Sequence, residues 1–586
     1  LYDLTSGEHI KLYDGLDRDM QETWAIHGVY PSLSWTPDNK ALLFWAGGEI
    51  KQLTVADKTL ATIPFQVETS KQIQTAVQVK QNIDNDQVKT KMLRFVQVSP
   101  DGKQAVFTAL GHLYITDVDE PNPKRLTKQS TDFEFYPQFS RDGKQLVYVS
   151  WNDNEQGAVN LLNLRNGRVT KLTDEPGKYV EPVFSPDGKT VVYRKAGAGS
   201  LLPRQWSLHT GLYKISSKGG KPELISQTGR SPMFGADNDA VYAMHNSPAP
   251  SLLRIDLTKH SQQTLYTAKF GTEFKLSPDG KYLAFADRFK VFVTPFTERG
   301  SAIDISGNDK QFPVKQLSVR AGEYISWSGD SRNLYWSLGP ELYHASIDGL
   351  FDFSDKTDFA AKDGVDLSFN VAADFPRGSV AFVGGQVITM KGDEIIQDGV
   401  VLVENNKIKA IGKVDEVPIP ADIKVVDVTG KTIMPGLVDV HAHLRTSPDG
   451  ISPQQDWSYL ANLSFGVTTS HDPSSNTEMV FSQAEMLKAG RMVGPRLYST
   501  GSILYGADGD FKVTINSLDD ALSHLRRLKA VGAFSVKSYN QPRRDQRQQI
   551  LEAARQLKME VVPEGGSTFF TNMNMIADGH TGIEHS

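Results

Sequence analysis

A five-residue phrase, repeated along the first three-fifths of the chain, constrains the fold more than any other feature. Ser99-Pro100-Asp101-Gly102-Lys103, Ser185-Pro186-Asp187-Gly188-Lys189 and Ser277-Pro278-Asp279-Gly280-Lys281 are clear copies. Near copies are Thr36-Pro37-Asp38-Asn39-Lys40, Ser140-Arg141-Asp142-Gly143-Lys144 and Ser328-Gly329-Asp330-Ser331-Arg332, and a decayed one is Gly235-Ala236-Asp237-Asn238. Proline fixes φ, the Asp side chain bonds back to the local backbone, and Gly or Asn takes positive φ. The phrase is therefore a tight turn, and its Asp residues read as turn formers, not catalysts. Apolar and aromatic runs flank it, such as Gln145-Leu146-Val147-Tyr148 and Thr190-Val191-Val192-Tyr193, and a further strand follows in most units, such as Leu252-Leu253-Arg254-Ile255. These are strand sequences.

The turn Asp residues stand at 38, 101, 142, 187, 237, 279 and 330, with gaps of 63, 41, 45, 50, 42 and 51. A multi-stranded unit recurring at such intervals predicts an all-β propeller. The long first gap contains a polar stretch, 72–91, with alternating Val and Ile; it reads as an insertion or a strand crossing between two propellers. Leu1-Tyr2-Asp3-Leu4-Thr5-Ser6-Gly7 reads as the last strand of a blade and its turn, so the chain is expected to start in mid-blade. The phrase resembles the repeat of TolB-like propellers, over residues 1–348.

Composition excludes several alternatives. A chain of 586 residues suggests about four folding units. Lys and Arg number 63 against 69 Asp and Glu, a net charge of −6, which offers no footprint for nucleic acid. There is no cysteine, so disulfide scaffolds, thiolate zinc sites and cysteine nucleophiles are excluded. No apolar run approaches the about 18 residues of a membrane span. No Gly-x-Ser-x-Gly occurs, which disfavours a serine peptidase.

The repeat stops near residue 351. The expected division is propeller repeats over 1–352, a polar linker over 353–377, a small β-sandwich over 378–433, and the first six strands of an incomplete TIM-like (β/α) barrel over 434–586. Short strands 380–383, 386–390, 399–403 and 407–411, separated by Gly-Gly, Lys-Gly-Asp and Asn-Asn turns, predict the sandwich. Gly430-Lys431-Thr432 is not a phosphate loop, because Val425 stands where that motif needs glycine. Beyond it, strands near Val438, 466–469, 496–498, 533–536, 559–562 and 582–583 alternate with helical patterns at 477–489, 518–531 and 546–557. Strand–helix alternation implies a parallel sheet.

The chemistry starts at Met434-Pro435-Gly436-Leu437-Val438-Asp439-Val440-His441-Ala442-His443. In a strand, alternate side chains share a face, so His441 and His443 project together. Two imidazoles at a strand end suit a divalent metal, zinc foremost. The order sandwich, His-Ala-His, Gly466-Val467-Thr468-Thr469 and Gly582-Ile583-Glu584-His585 resembles the amidohydrolase superfamily, from about residue 378 onward. The resemblance implies a metal-dependent hydrolase of amide or other C–N bonds, with one or two metal ions. It implies His441, His443 and His585 as metal ligands and Lys537 as a carboxylated bridge between the metals. It implies a histidine where Glu564 stands, so Glu564 becomes a carboxylate candidate ligand, and a general-base Asp beyond Ser586. A bridging anion suits two cations that would otherwise repel. The bland readings are an exposed lysine at a strand end for Lys537 and a capping or packed histidine for His585. His471 and His580 fit no ligand position and read as supporting or surface residues.

The expected substrate is a small molecule or a peptide-like chain, with the propeller gating or recruiting it. A periplasmic or secreted location and a possible oligomer complete this reading. The rival is a propeller-based binding protein whose barrel has lost catalysis; Glu564 favours it.

Overall fold

The computed structural model describes residues 1–16, 32–83, 86–197, 207, 209–352, 360–361, 363–444, 446, 449–505, 513–539, 543–565 and 569–585. The chain forms two compact units: 81–502 with 526–533, and 1–80 with 503–525 and 534–586.

In the larger unit, six antiparallel sheets of four strands begin at Arg94–Val98, Phe133–Phe139, Tyr179–Phe184, Arg230–Met233, Gly271–Leu276 and Glu323–Trp327. The fourth sheet gains a fifth, parallel strand, Ile303–Asp304. The repeated phrase closes the first hairpin of these blades. Ser99 Oγ donates to Asp101 Oδ1 at 2.6 Å, Lys103 N donates to the same oxygen at 3.2 Å, and Gln104 N donates to Ser99 Oγ at 2.9 Å. The same three bonds recur around Asp142, Asp187, Asp279 and Asp330. Their role as turn formers is thereby accounted for.

Successive blades bury apolar layers between them. Val106, Leu113, Phe139 and Leu146 pack between the first and second. Leu93, Phe107 and Tyr114 of the first pack with Tyr335 and Leu342 of the last. The innermost strands Glu323–Trp327 and Arg94–Val98 adjoin, and Gly329 N donates to Pro100 O at 2.8 Å, so the ring of six closes. Arg141, which replaces the turn proline in its copy, donates to Pro278 O at 3.0 Å and also to Gly235 O, joining the second blade to turns of the fourth and fifth.

The stretch 72–91 does deliver a strand: Gln87–Lys89 pairs antiparallel with Asn370–Ala372, beyond the last blade. The turn at Asp38 lies outside the ring, in a four-stranded sheet of the smaller unit that starts at Ser34–Trp35. The opening segment departs from expectation. Asp3 Oδ1 accepts from Thr5 N and Ser6 N as a turn should, yet Tyr2 meets His9 in an isolated bridge and joins no blade.

Region 378–433 corrects the expected sandwich. The pieces 380–383 and 386–390 belong to one strand, Ser379–Ile388, because Gly384 and Gly385 continue it as an irregularity and make no turn. It pairs antiparallel with Ile395–Glu404 and parallel with both Lys424–Asp427 and Thr432–Ile433. With Lys407–Lys413 these form a single five-stranded mixed sheet with Ala381, Val400, Leu402 and Val417 buried on one face.

Strand–helix alternation follows. Leu437–Asp439, Val467–Asp472 and Arg496–Ser499 form a parallel sheet in the larger unit. Ser535–Tyr539 and Glu560–Pro563 form a parallel pair in the smaller one. The helices are α1 Trp457–Ser464, α2 Thr477–Lys488, α3 Leu518–Ala530, α4 Arg544–Leu557 and α5 Phe569–Asp578. Residues 582–583 are not a strand, although Thr581 N donates to Val561 O and His585 N to Glu564 O, so this segment runs alongside Glu560–Pro563. Leu437, Val438 and Val440 are exposed, unlike the central parallel strand their sequence suggests. Among the described residues five barrel-type strands lie in two sheets, and no helix is long and apolar enough to cross a membrane.

Candidate functional site

His441 and His443 follow their strand; they do not lie on it, since the strand ends at Asp439. The backbone stays in register all the same: Ala442 N donates to His471 O at 3.0 Å and His441 N to Asp439 Oδ1 at 3.0 Å. The two rings meet edge to face with centroids 4.8 Å apart, and their Nε2 atoms are 3.1 Å apart. Two nitrogens held about 2.0–2.1 Å from one tetrahedral ion would be about 3.3 Å apart. The pair is therefore close to the spacing a shared cation imposes.

Behind it stands Asp472, which the sequence reading did not single out. It ends the neighbouring strand, is buried, and places Oδ1 3.3 Å from His443 Nδ1. A carboxylate on the far nitrogen of an imidazole fixes its tautomer and raises its basicity. Asp472 Oδ2 is buried without a hydrogen-bond partner. A polar side chain ending the strand after Gly466-Val467-Thr468-Thr469 was the available signal. His471 contributes Nδ1, 3.3 Å from Val440 O.

The smaller unit holds the second group. Lys537 is only 1% exposed, which overturns its reading as an exposed strand-end lysine. Its Nζ lies 2.5 Å from Glu564 Oε2 and 3.2 Å from Glu584 Oε2. His585 Nε2 lies 3.1 Å from Glu564 Oε1, with its side chain 44% exposed, so it is not a packed core histidine. Glu564 thus touches both sequence-predicted partners. The close passage of residues 564–585 depends on Gly565: a Cβ there would stand 2.1 Å from His585 O, and its φ is +91°. Glu584 was missed, although it sits inside the motif that named His585. His580 is buried with Nδ1 2.9 Å from Met575 O, and burial pushes its pKa down to about 4. It is therefore not a surface residue.

Among the described residues no three His, Asp or Glu side chains form a metal-holding group by themselves. What the chain presents is a two-histidine cluster with its supporting carboxylate, and separately a Lys-Glu-Glu-His cluster.

Residues 96–316 match the family model of the TolB beta propeller domain. This stretch is a TolB-like propeller. The Tol-Pal system protein TolB of Francisella tularensis subsp. mediasiatica (strain FSC147) is 27% identical over 202 residues, covering 33% of this chain and 44% of that protein. The uncharacterized peptidase YuxL of Bacillus subtilis (strain 168) is 25% identical over 160 residues, 27% of this chain and 22% of that one. The chain thus spans less than half the length of these curated relatives. Among solved structures, TolB from Acinetobacter baumannii superposes on 58% of this chain and 81% of its own, at 18% identity and a TM-score of 0.33. A Xaa-Pro dipeptidase with bound methionine covers 35% of this chain and 61% of its own, at 17% identity and a TM-score of 0.29.

Proposed function

We propose that the chain belongs to a metal-dependent hydrolase of C–N bonds, of amidohydrolase type, with amide or peptide-like substrates. The observation that carries this is the His441–His443 pair, Nε2 to Nε2 at 3.1 Å, backed by the buried Asp472. These residues fit a divalent metal, zinc foremost: two borderline nitrogen donors converge and a buried carboxylate orients one of them. His441 and His443 would hold the ion, with His585 and Glu564 as further donors under the full barrel reading. A metal held by these residues would supply Lewis-acid chemistry, polarising a scissile carbonyl and making water more acidic.

Lys537 has two possible states. As an ammonium it pairs with both Glu564 and Glu584, and the trio keeps a net charge of −1. As a carbamate it would set a third anion against two carboxylates, which needs cations between them. Closure of the parallel strands into a TIM-like barrel, a carboxylated Lys537, a second metal, a periplasmic or secreted location and substrate recruitment by the propeller belong to the same proposal. A second reading has its own support: the Lys537 ammonium already pairs with Glu564 and Glu584 where the first reading puts a carbamate, as in a propeller-based binding protein with a degenerate barrel.

Metal analysis separates the two. The complete gene product, loaded with zinc and dialysed, is expected to retain at least one ion per chain and to hydrolyse members of an amide and dipeptide library. His441→Ala with His443→Ala should abolish both. Metal content unchanged by the double substitution would refute the site.

A further inference from the structure

Asp449, Gly450, Gln454 and Gln455, which lie between His443 and α1, are fastened to three propeller blades. Asp449 Oδ1 accepts from Arg194 at 3.0 Å, and its Oδ2 lies 3.5 Å from Lys178 Nζ, both on the third blade. Arg194 is itself held by Glu181, Nε to Oε2 at 2.8 Å. Tyr136 Oη, on the second blade, donates to Asp449 O at 2.9 Å, and Arg94, on the first, donates to Gly450 O. Farther along, Gln454 N and Gln455 N donate to the two oxygens of Asp153 at 3.0 and 2.8 Å. Arg94 also binds Glu478 in the first turn of α2, Nε to Oε1 at 2.7 Å. That helix follows the strand ending in Asp472, the carboxylate behind His443.

We propose that the propeller clamps the metal-binding loop, and that Asp449 is the positioning residue through which it holds His441 and His443 in place. This rests on the metal-hydrolase reading. Ion pairs taken out of water seldom stabilise a fold more than apolar contacts would, but they select one geometry. Here the pairs fix residues 449–455, whose ordering would otherwise cost conformational entropy when the ion binds. A clamp made before binding removes that cost from metal capture. The propeller then serves the metal site as well as any substrate it meets.

The test uses the complete chain and zinc, with affinity read by competition against a chromogenic chelator. Asp449→Asn and Arg194→Met should each weaken zinc binding about 10–100-fold, the range seen when support of a ligand is lost. Asp449→Glu, which keeps the charge, should restore most of it. Hydrogen exchange over 442–456 should quicken in the first two variants only. Unchanged zinc affinity in both overturns the proposal, whatever the exchange shows. Should Asp449→Asn fail to fold, Asp153→Ala, which removes the acceptor of Gln454 N and Gln455 N, is read by the same criteria. If the unsubstituted protein binds no zinc, the hydrolase reading fails by itself, and exchange alone decides the clamp: no quickening overturns it.

Discussion

Ser185-Pro186-Asp187-Gly188 and Ser447-Pro448-Asp449-Gly450 are the same four residues in two settings. At the first, Asp187 Oδ1 accepts from Ser185 Oγ at 2.8 Å and Lys189 N at 3.0 Å, and a hairpin closes between two strands. At the second, the Asp449 carboxylate faces Arg194 and Lys178, which lie far away in sequence. Gly188 has φ +69° with open space around it; Gly450 has φ +68° and would bring a Cβ within 2.3 Å of Tyr136 Oη. The backbone preference is shared, and the partners differ. A turn phrase therefore specifies a hairpin only where apolar strands flank it; elsewhere its carboxylate and its bare glycine are free for long-range docking.

The largest break in this comparison should come from Asp449→Ala against Asp187→Ala. Removing Asp449 leaves Arg194 and Lys178 facing the space it filled, and losing one partner of a largely buried pair costs about 3 kcal/mol or more. Removing Asp187 costs about 1 kcal/mol, since its partners turn to water. Urea unfolding of both variants, followed by a probe in the larger unit, should rank them so. Equal losses would mean that the docked loop contributes no more than a surface turn.

This contrast also marks how far the sequence was legible. The propeller could be read because each blade is built from local contacts, with Ser, Asp and Gly within four residues of each other. Ring closure by Leu93, Phe107, Tyr335 and Leu342 then follows from repetition. His441 and His443 could be singled out because they sit two residues apart. Asp472, Glu584 and the Asp449 clamp could not, because each takes its meaning from a partner on another element. The single sheet at 379–433 was hidden by Gly384-Gly385, a pair that reads as a turn but here bends a continuous strand.

A smaller effect should come from Gly450→Ala against Gly188→Ala. Both demand positive φ, at about 1 kcal/mol each for a non-glycine residue. Only Gly450 adds a steric clash, with Tyr136 and Arg94, worth about 1–3 kcal/mol more. Gly450→Ala should accordingly loosen zinc binding and speed exchange in the loop, while Gly188→Ala shifts only the unfolding midpoint. If Gly188→Ala also loosened zinc, the blade and the loop would be coupled through more than the clamp.

The smallest effect is a pH dependence that belongs to the turns. Hydrogen bonds from Lys189 N and then Ser185 hold the Asp187 carboxyl below its usual range; at Asp101, Asp142 and Asp330 the Ser hydroxyl leads. A carboxyl whose folded pKa lies below the unfolded value binds fewer protons folded than unfolded as pH falls past its ordinary value of 3.8. Its contribution is whole above that value and is lost as pH drops through the lower folded pKa. Asp187→Asn keeps an acceptor for Lys189 N and Ser185 Oγ but cannot titrate. The variant should be slightly less stable at pH 7, by less than about 1 kcal/mol, and the difference from the natural chain should shrink toward pH 3. Urea midpoints at the two pH values measure it. A difference that grew on acidification would mean that the turn favours the neutral carboxyl, contrary to the two hydrogen bonds that reach it.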